Sequence, residues 1–349
     1  MSGYASRFNA SEVLRSPAGE LEQLICEQLG LDLKIVSGAG SDQKPGSAMD
    51  PLRVFFSKPP RTGVSIASQL AEVVVAGEAR WGNQVIKLIQ AIEVARLLSI
   101  PKVRIATPEG FPERFSFEGV VVAPPTPTPP ESALVGRFFY SQTLRPVLEK
   151  GRTREQTLQA LRPYIQIPIE DALAQDSNTL VVYVRSGDVY RTKRRPHPLY
   201  GQPPLAFYRR VLESRRWSRV IIVTQDSRSP VIRGIKRLSA KRAPEVLCRG
   251  ESLLDALATI LSAQNLVIAR GTFAYPLVAL GTGPKNVYSF GSSEFELWGF
   301  STSRVAVHQF DERSHLYRLL VTRKWKNTRF QRVLMKAWPR FAITQTPFA

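Results

Sequence analysis

Short apolar runs alternate with amphipathic stretches through the middle of this chain. Runs of β-branched residues predict buried strands, whereas apolar positions three and four residues apart predict helices. Strands are predicted at Ala71–Ala76, Val103–Ala106 and Gly119–Val122, around Val181, and at Val220–Val223, Val246–Cys248 and Leu266–Ala269. Helices are predicted at Asn83–Ile100, Thr153–Leu161, Phe207–Glu213, Val231–Ser239, Leu253–Ser262 and Tyr275–Leu280. This alternation predicts an α/β fold in which parallel sheets are covered by helices.

The predicted elements form two groups, and 349 residues with 43% hydrophobic content suffice for two domains with separate cores. The first Rossmann-like domain is predicted at 68–175 and the second at 176–310. Residues 1–67 are an N-terminal extension whose role the sequence does not indicate. Residues 311–349 are predicted as a basic amphipathic helix and tail.

The most informative strand ends in charged residues. The sequence L-V-V-Y-V-R-S-G-D stops being apolar at Arg185, and Gly187 permits a turn before Asp188. Ligands of open α/β sheets bind at the carboxyl ends of the strands, and an arginine there can hold a phosphate through two parallel hydrogen bonds. The alternative is a structural Arg–Asp pair at a strand end.

A second candidate lies in the first domain, where a strand is followed by the sequence W-G-N-Q and a helix. Asn83 is the expected N-cap of that helix, and Gly82, Asn83 and Gln84 form the expected ligand-facing loop. The alternative is a capped Rossmann helix with no ligand.

Taken together, the G-N-Q and V-R-S-G-D sequences resemble the fucosyltransferase superfamily, whose members carry a G-x-G-N-Q-type loop and an H-x-R-R-G-D-type motif. Three further segments follow in the family's order and extend the resemblance from about Val73 to Phe290. They are Y-G-Q-P-P-L-A-F-Y at Tyr200–Tyr208, V-I-I-V-T-Q-D at Val220–Asp226, and the segment Leu261–Leu280 containing R-G-T-F.

The resemblance implies a GT-B glycosyltransferase, with two Rossmann-like domains facing a central cleft and an inverting, metal-independent reaction. Arg185 and Asp188 would bind the donor with the backbone of Gly271, Thr272 and Phe273, and Arg185 would also serve catalysis. Asp226 or Asp255 would bind the base or ribose. The 82–84 loop would face the acceptor, and Glu78, the acid nearest that loop, is the candidate general base.

This sequence departs from the family pattern at several positions. Tyr183 stands in place of the histidine and Ser186 in place of the second arginine. Arg270 and Gly271 precede Thr272 and Phe273 where the family has a small residue and serine. Asp255 is two residues out of register with the family's base-reading acid. An inactive relative of these enzymes is therefore an alternative, and the base and sugar stay open.

The net charge of the chain excludes few classes of binding partner. The chain has 48 Lys and Arg against 29 Asp and Glu, a formal net charge of +19. A nucleotide diphosphate, an anionic leaflet and a nucleic acid all suit such a charge. A basic nucleic-acid-binding α/β protein is the alternative from another class, but no recognised nucleic-acid module is present. We expect a nucleotide-sugar donor such as GDP-fucose, a glycan or glycolipid acceptor, no nucleic acid and no further cofactor.

The C-terminal stretch combines apolar and basic residues in a helical pattern. At 100° per residue, one arc contains Phe330, Val333, Leu334, Ala337 and Trp338, and the next contains Arg329, Arg332, Lys336 and Arg340. This pattern fits peripheral contact with an anionic membrane, and the competing interpretation is a terminal helix packed on the first domain. Neither a membrane-spanning run nor the apolar core of a signal peptide is evident, which predicts a cytoplasmic protein, peripheral to the inner face of a membrane where the helix binds lipid. Two cysteines and three dispersed histidines predict no disulfide framework and no metal site.

Overall fold

A computed structural model of the chain describes residues 53–56, 66–77, 79–126, 131–138, 148, 150–171, 173, 176–191, 200–249, 252–291, 304–313 and 315–346. The chain divides into two compact units, Met1–Gln166 and Ile167–Ala349. Each is an α/β unit built on one sheet, so the α/β prediction is confirmed.

The first unit contains a six-stranded sheet in the order β1-β6-β2-β3-β5-β4. Its strands are β1 (Arg53–Phe56), β2 (Glu72–Val75), β3 (Lys102–Arg104), β4 (Phe115–Phe117), β5 (Val120–Ala123) and β6 (Ser132–Gly136). Its helices are α1 (Ile66–Gln69), α2 (Trp81–Leu97) and α3 (Arg154–Leu161), followed by a short 3-10 helix, Arg162–Tyr164. Helix α2 packs on β2, β3 and β5, and α3 packs on α2.

The second unit contains a seven-stranded sheet in the order β13-β12-β11-β10-β7-β8-β9. Its strands are β7 (Thr179–Tyr183), β8 (Arg219–Val223), β9 (Glu245–Arg249), β10 (Asn265–Val267), β11 (Asn286–Phe290), β12 (Ala306–Glu312) and β13 (Ile343–Thr346). Its helices are α4 (Leu205–Glu213), α5 (Ile232–Ser239), α6 (Leu253–Ser262), α7 (Ala274–Leu280) and α8 (Arg329–Ala337), with shorter turns at Gly187–Tyr190, Arg318–Thr322 and Arg340–Ala342. The first four residues of β7 are buried in succession, as expected for a central strand covered on both faces.

In both sheets the order of the strands reverses at one point. The second sheet proceeds from β7 through β8 to β9, and the chain then returns to place β10 on the other side of β7. This is the Rossmann order, 3-2-1-4-5-6, read from β9 to β12. The first sheet reverses in the same way between β2 and β6. We call each of these positions a switch point.

The sheets are mixed, which corrects the prediction of purely parallel sheets. Strand β1 is antiparallel to β6, β4 to β5, and β13 to β12. The antiparallel partners are β1, β4 and β13, and each lies at a sheet edge. A parallel interior with antiparallel edges is common among large α/β sheets. None of these three strands was predicted from the sequence.

The C-terminal residues belong to the second unit. Strand β13 completes its sheet, and α8 packs on α4. Trp325 is buried and donates a hydrogen bond from Nε1 to the Val189 carbonyl at 3.0 Å. Met335 on α8 is also buried. The expectation that the terminal helix packs on the first domain is thereby corrected, because its buried side contributes to the second unit's core. No helix in the part of the chain that the structure describes is long and apolar enough to cross a membrane.

Candidate functional site

The candidate site lies at the switch point of the second sheet. Strands β7 and β10 are adjacent and parallel, so the loops that follow them emerge side by side at the carboxyl edge. The first loop carries Arg185 and Asp188, and the second carries Gly271, Thr272 and Phe273. Because strand order reverses between these two strands, the loops diverge to opposite faces of the sheet and leave the crevice in which ligands of such folds bind.

Arg185 is the central cation of this site. Its side chain is only 12% exposed, and Nη2 lies 3.7 Å from Asp188 Oδ1. That distance is an ion pair but too long for a hydrogen bond. The guanidinium carbon lies 4.9 Å from the centre of the Tyr200 ring, and the buried Nε has no hydrogen-bond partner among the described residues. A guanidinium held by stacking and a long ion pair retains N–H groups for an anion.

The 271–273 turn lies against this guanidinium. Gly271 has φ +120°, and a Cβ at this position would lie 2.7 Å from Arg185 Nη1. The Tyr183 and Phe273 rings have centroids 5.1 Å apart. Tyr183 therefore packs on the turn. The structure thus brings Arg185, Asp188 and the turn together.

Two residues that the sequence interpretation missed hold this arrangement. Gln202 is buried and donates from Nε2 to the carbonyls of Tyr200 at 2.9 Å and Arg270 at 3.3 Å. Tyr317 donates from its hydroxyl to the Gln202 carbonyl at 2.9 Å. Gln202 therefore ties the residue stacked on Arg185 to the turn. The only sequence signal was its place in the Y-G-Q-P-P passage.

Ser186 and Asp226 brace the first loop. Asp226 Oδ1 accepts hydrogen bonds from the Ser186 hydroxyl, from Gly187 N at 3.2 Å and from Arg228 N at 3.0 Å. Burial by itself would raise the pKa of Asp226, but these hydrogen bonds outweigh it and hold the pKa below its usual value. With Arg228 Nη1 also 3.1 Å from Oδ2, both carboxylate oxygens have protein partners. The structure thus gives Asp226 a bracing position beside Arg185.

The remaining predicted residues lie elsewhere. Asp255 is exposed in the first turn of α6, where Ser252 Oγ accepts a hydrogen bond from its N at 3.1 Å. No described contact joins it to Arg185. Glu78 lies outside the described residues. Asn83 is not the N-cap, because α2 begins at Trp81 with Arg80 as the N-cap, so residues 82–84 form a helical turn and not a loop. Gly82 and Gln84 are buried within it.

The fold and site define an α/β protein with a Rossmann-like sheet and a basic group at its switch point. Compared with protein-family models, curated proteins and solved structures, the chain matches none.

Proposed function

We propose that the protein is a nucleotide-sugar-dependent glycosyltransferase of the GT-B, fucosyltransferase-like type. It transfers a sugar, with GDP-fucose as the first candidate donor, to a hydroxyl of a glycan or glycolipid, with inversion and without a metal. The observation that carries this proposal is the meeting of Arg185 with the 271–273 turn at the switch point of the second sheet.

Arg185 suits the stabilisation of a leaving diphosphate. Transfer places negative charge on the phosphate oxygens, and a positioned donor stabilises that charge most where water is excluded. The guanidinium is mostly buried and held by Tyr200, Asp188 and Gly271, so it need not reorganise during the reaction. Loss of one such donor costs about 2.7 to 4 kcal/mol of transition-state stabilisation. The backbone of the turn would complete the diphosphate site.

The departures from the family motif have local explanations compatible with activity. Tyr183 packs on Phe273, and Ser186 links the β7 loop to Asp226. Both therefore support the arrangement around Arg185. The base-reading acid is the part with least support, since Asp255 has no described contact to the site. The choice of nucleotide is accordingly the first point to test.

The test is a thermal-shift series with GDP, UDP, ADP and CDP. A ligand at about 100 times its dissociation constant adds about 2.7 kcal/mol to the free energy of unfolding, so the true donor nucleotide should stand out. We expect the largest shift with GDP. A shift with UDP alone would overturn the GDP-fucose assignment and leave a transferase, whereas no shift with any nucleotide would contradict the proposed function.

Arg185→Lys tests the role of the arginine. The change keeps the charge but removes the planar fork, so we expect a fall in transfer of about a hundredfold or more with little change in melting temperature. Arg219→Lys is the matched control. Arg219 pairs with Glu245 at 2.6 Å, but it lies at the amino end of β8, on the opposite edge of the same sheet. Transfer near the wild-type rate in Arg185→Lys would exclude the proposed role.

A further inference from the structure

The switch point of the first sheet carries its own cationic group. The loop after β2 contains Ala76 and Gly77, and the loop after β6 begins with Arg137. Helix α2 begins next to these loops and brings Lys87 back to them. Lys87 belongs to no motif that the sequence singled out.

Lys87 is almost completely buried, with 4% of its surface exposed. Its Nζ donates hydrogen bonds to the Ala76 carbonyl at 3.0 Å and the Gly77 carbonyl at 2.7 Å. An ammonium group has three N–H donors. The third N–H of Lys87 has no partner among the described residues. The ammonium group is therefore held at the carboxyl end of β2 with one N–H available to a ligand.

Lys87 also has a like-charged neighbour. Burial and the positive charge of Arg137 together lower the pKa of Lys87 to about 8. No carboxylate in the described part of the chain pairs with Lys87. Glu93, on the same helix, bonds to Arg96 and Thr157, and Glu72, at the other end of β2, pairs with Arg104. A buried ammonium group that has no carboxylate partner among the described residues forms a place where an anion would stabilise the charge.

Gln84 is a second, independent sign of a ligand. It lies one turn before Lys87 on the same face of α2, and it is 7% exposed. Its Nε2 donates to the Ala106 carbonyl at 2.5 Å, but its Oε1 is buried and accepts no hydrogen bond from any residue that the structure describes. A buried carbonyl oxygen without a donor is costly, and a ligand hydroxyl would satisfy it. Helix α2, 17 residues long, also has no acid in its first turn, so its amino end favours negative charge.

We propose that the switch point of the first unit binds a sugar bearing an acidic group, through Lys87 for the acid and Gln84 for a hydroxyl. A carboxylate and a phosphate share this chemistry. That the bound sugar is the acceptor of the transfer reaction rests on the proposed function, whereas the binding itself does not.

The experiment is competitive acetylation of the full-length protein across pH 6 to 11, with the reactivity of Lys87 read by mass spectrometry. Glucuronic acid and glucose 1-phosphate are the two probes, and glucose is the neutral control. We expect one or both acidic sugars to slow Lys87 acetylation about tenfold and to move its titration to higher pH, because a bound anion favours the ammonium. The stronger probe identifies the acidic group.

Variants distinguish binding at Lys87 from binding at the proposed donor site. Lys87→Gln should weaken binding of the effective probe about tenfold or more, and Lys102→Gln, a half-exposed lysine at the start of β3, should not. Arg185→Lys should leave Lys87 protection unchanged, so failure of the donor site is separable from failure of this one. In the wild-type protein, the proposal would be overturned if glucose protected Lys87 from acetylation as well as the acidic sugars do, or if neither acidic sugar protected it.

Discussion

At the scale of single residues, Gly271 has two reasons to be glycine. Its φ of +120° is a backbone conformation that residues with a side chain rarely adopt. A Cβ at this position would also lie 2.7 Å from Arg185 Nη1. The first reason concerns stability and the second concerns the site. A second glycine in this chain allows the two effects to be separated.

Gly271→Val should therefore weaken nucleotide binding by about tenfold or more, because the new side chain displaces the guanidinium, while backbone strain costs about 1 to 3 kcal/mol of stability. Gly119→Val is the control. Gly119 has φ +85° with nothing within 4 Å of its Cβ position, so it should show the strain alone. Isothermal titration with the nucleotide and thermal melts of both variants supply the comparison. An unchanged nucleotide dissociation constant in Gly271→Val would count against the turn as the diphosphate site.

At the scale of elements, α8 divides its apolar residues between core and surface. Met335 is buried, and Leu334 and Trp338 pack against the core of the second unit. Phe330 is 61% exposed and Val333 46% exposed. By helical geometry they share their side with Arg329 and Lys336, which are exposed as well. One face of the helix therefore belongs to the core of the second unit, and membrane contact by the exposed face stays a prediction.

Substitution of the exposed apolar residues of α8 should separate membrane contact from packing in the core. Phe330→Ser with Val333→Ser should abolish flotation with acidic liposomes and leave the melting temperature nearly unchanged, because apolar insertion flanked by cations drives such binding. Leu253→Ser with Leu254→Ser is the control, since those residues are exposed on α6. Flotation that survives the α8 variant would contradict membrane contact by this helix.

Truncation after Tyr317, by contrast, removes side chains from the hydrophobic core of the second unit. Val321, Trp325, Met335 and Ile343 are buried beyond that point, and burial of each large apolar side chain is worth about 1.5 to 3 kcal/mol. We expect this truncated protein to be insoluble or to melt far below the full chain. A soluble product with an unchanged melt would show that the terminal segment contributes little to the fold.

At the scale of the whole molecule, the net charge of +19 attracts any polyanion, so salt is the discriminating variable. Weak binding to RNA or DNA should fall steeply and log-linearly between 50 and 200 mM salt, since each neutralised phosphate releases counterions. Nucleotide binding by the few groups at the second switch point should fall much less. Fluorescence anisotropy with an RNA oligomer and titration with GDP test both. Tight RNA binding at 150 mM salt would instead favour a nucleic-acid-binding protein.

The sequence predicted those parts of the protein that depend on neighbours along the chain. Strand β7, helix α6 and most other elements follow from local periodicity, because the pattern of burial repeats with the geometry of each element. Arg185 was identified for the same reason, since it follows an apolar run, whereas Gly271 was identified from the resemblance to the fucosyltransferase superfamily. Asn83 shows the limit, because an N-cap depends on where the first helical turn closes, and that turn begins at Trp81.

Tertiary structure alone decided which of these elements are neighbours. The switch points exist because β10 returns to β7 and β6 to β2, and strand order depends on packing between distant segments that periodicity does not encode. The hydrogen bond from Tyr317 to Gln202 likewise joins residues far apart in sequence. The chain by itself therefore determined which residues end up at strand ends, and the fold determined which of those ends meet.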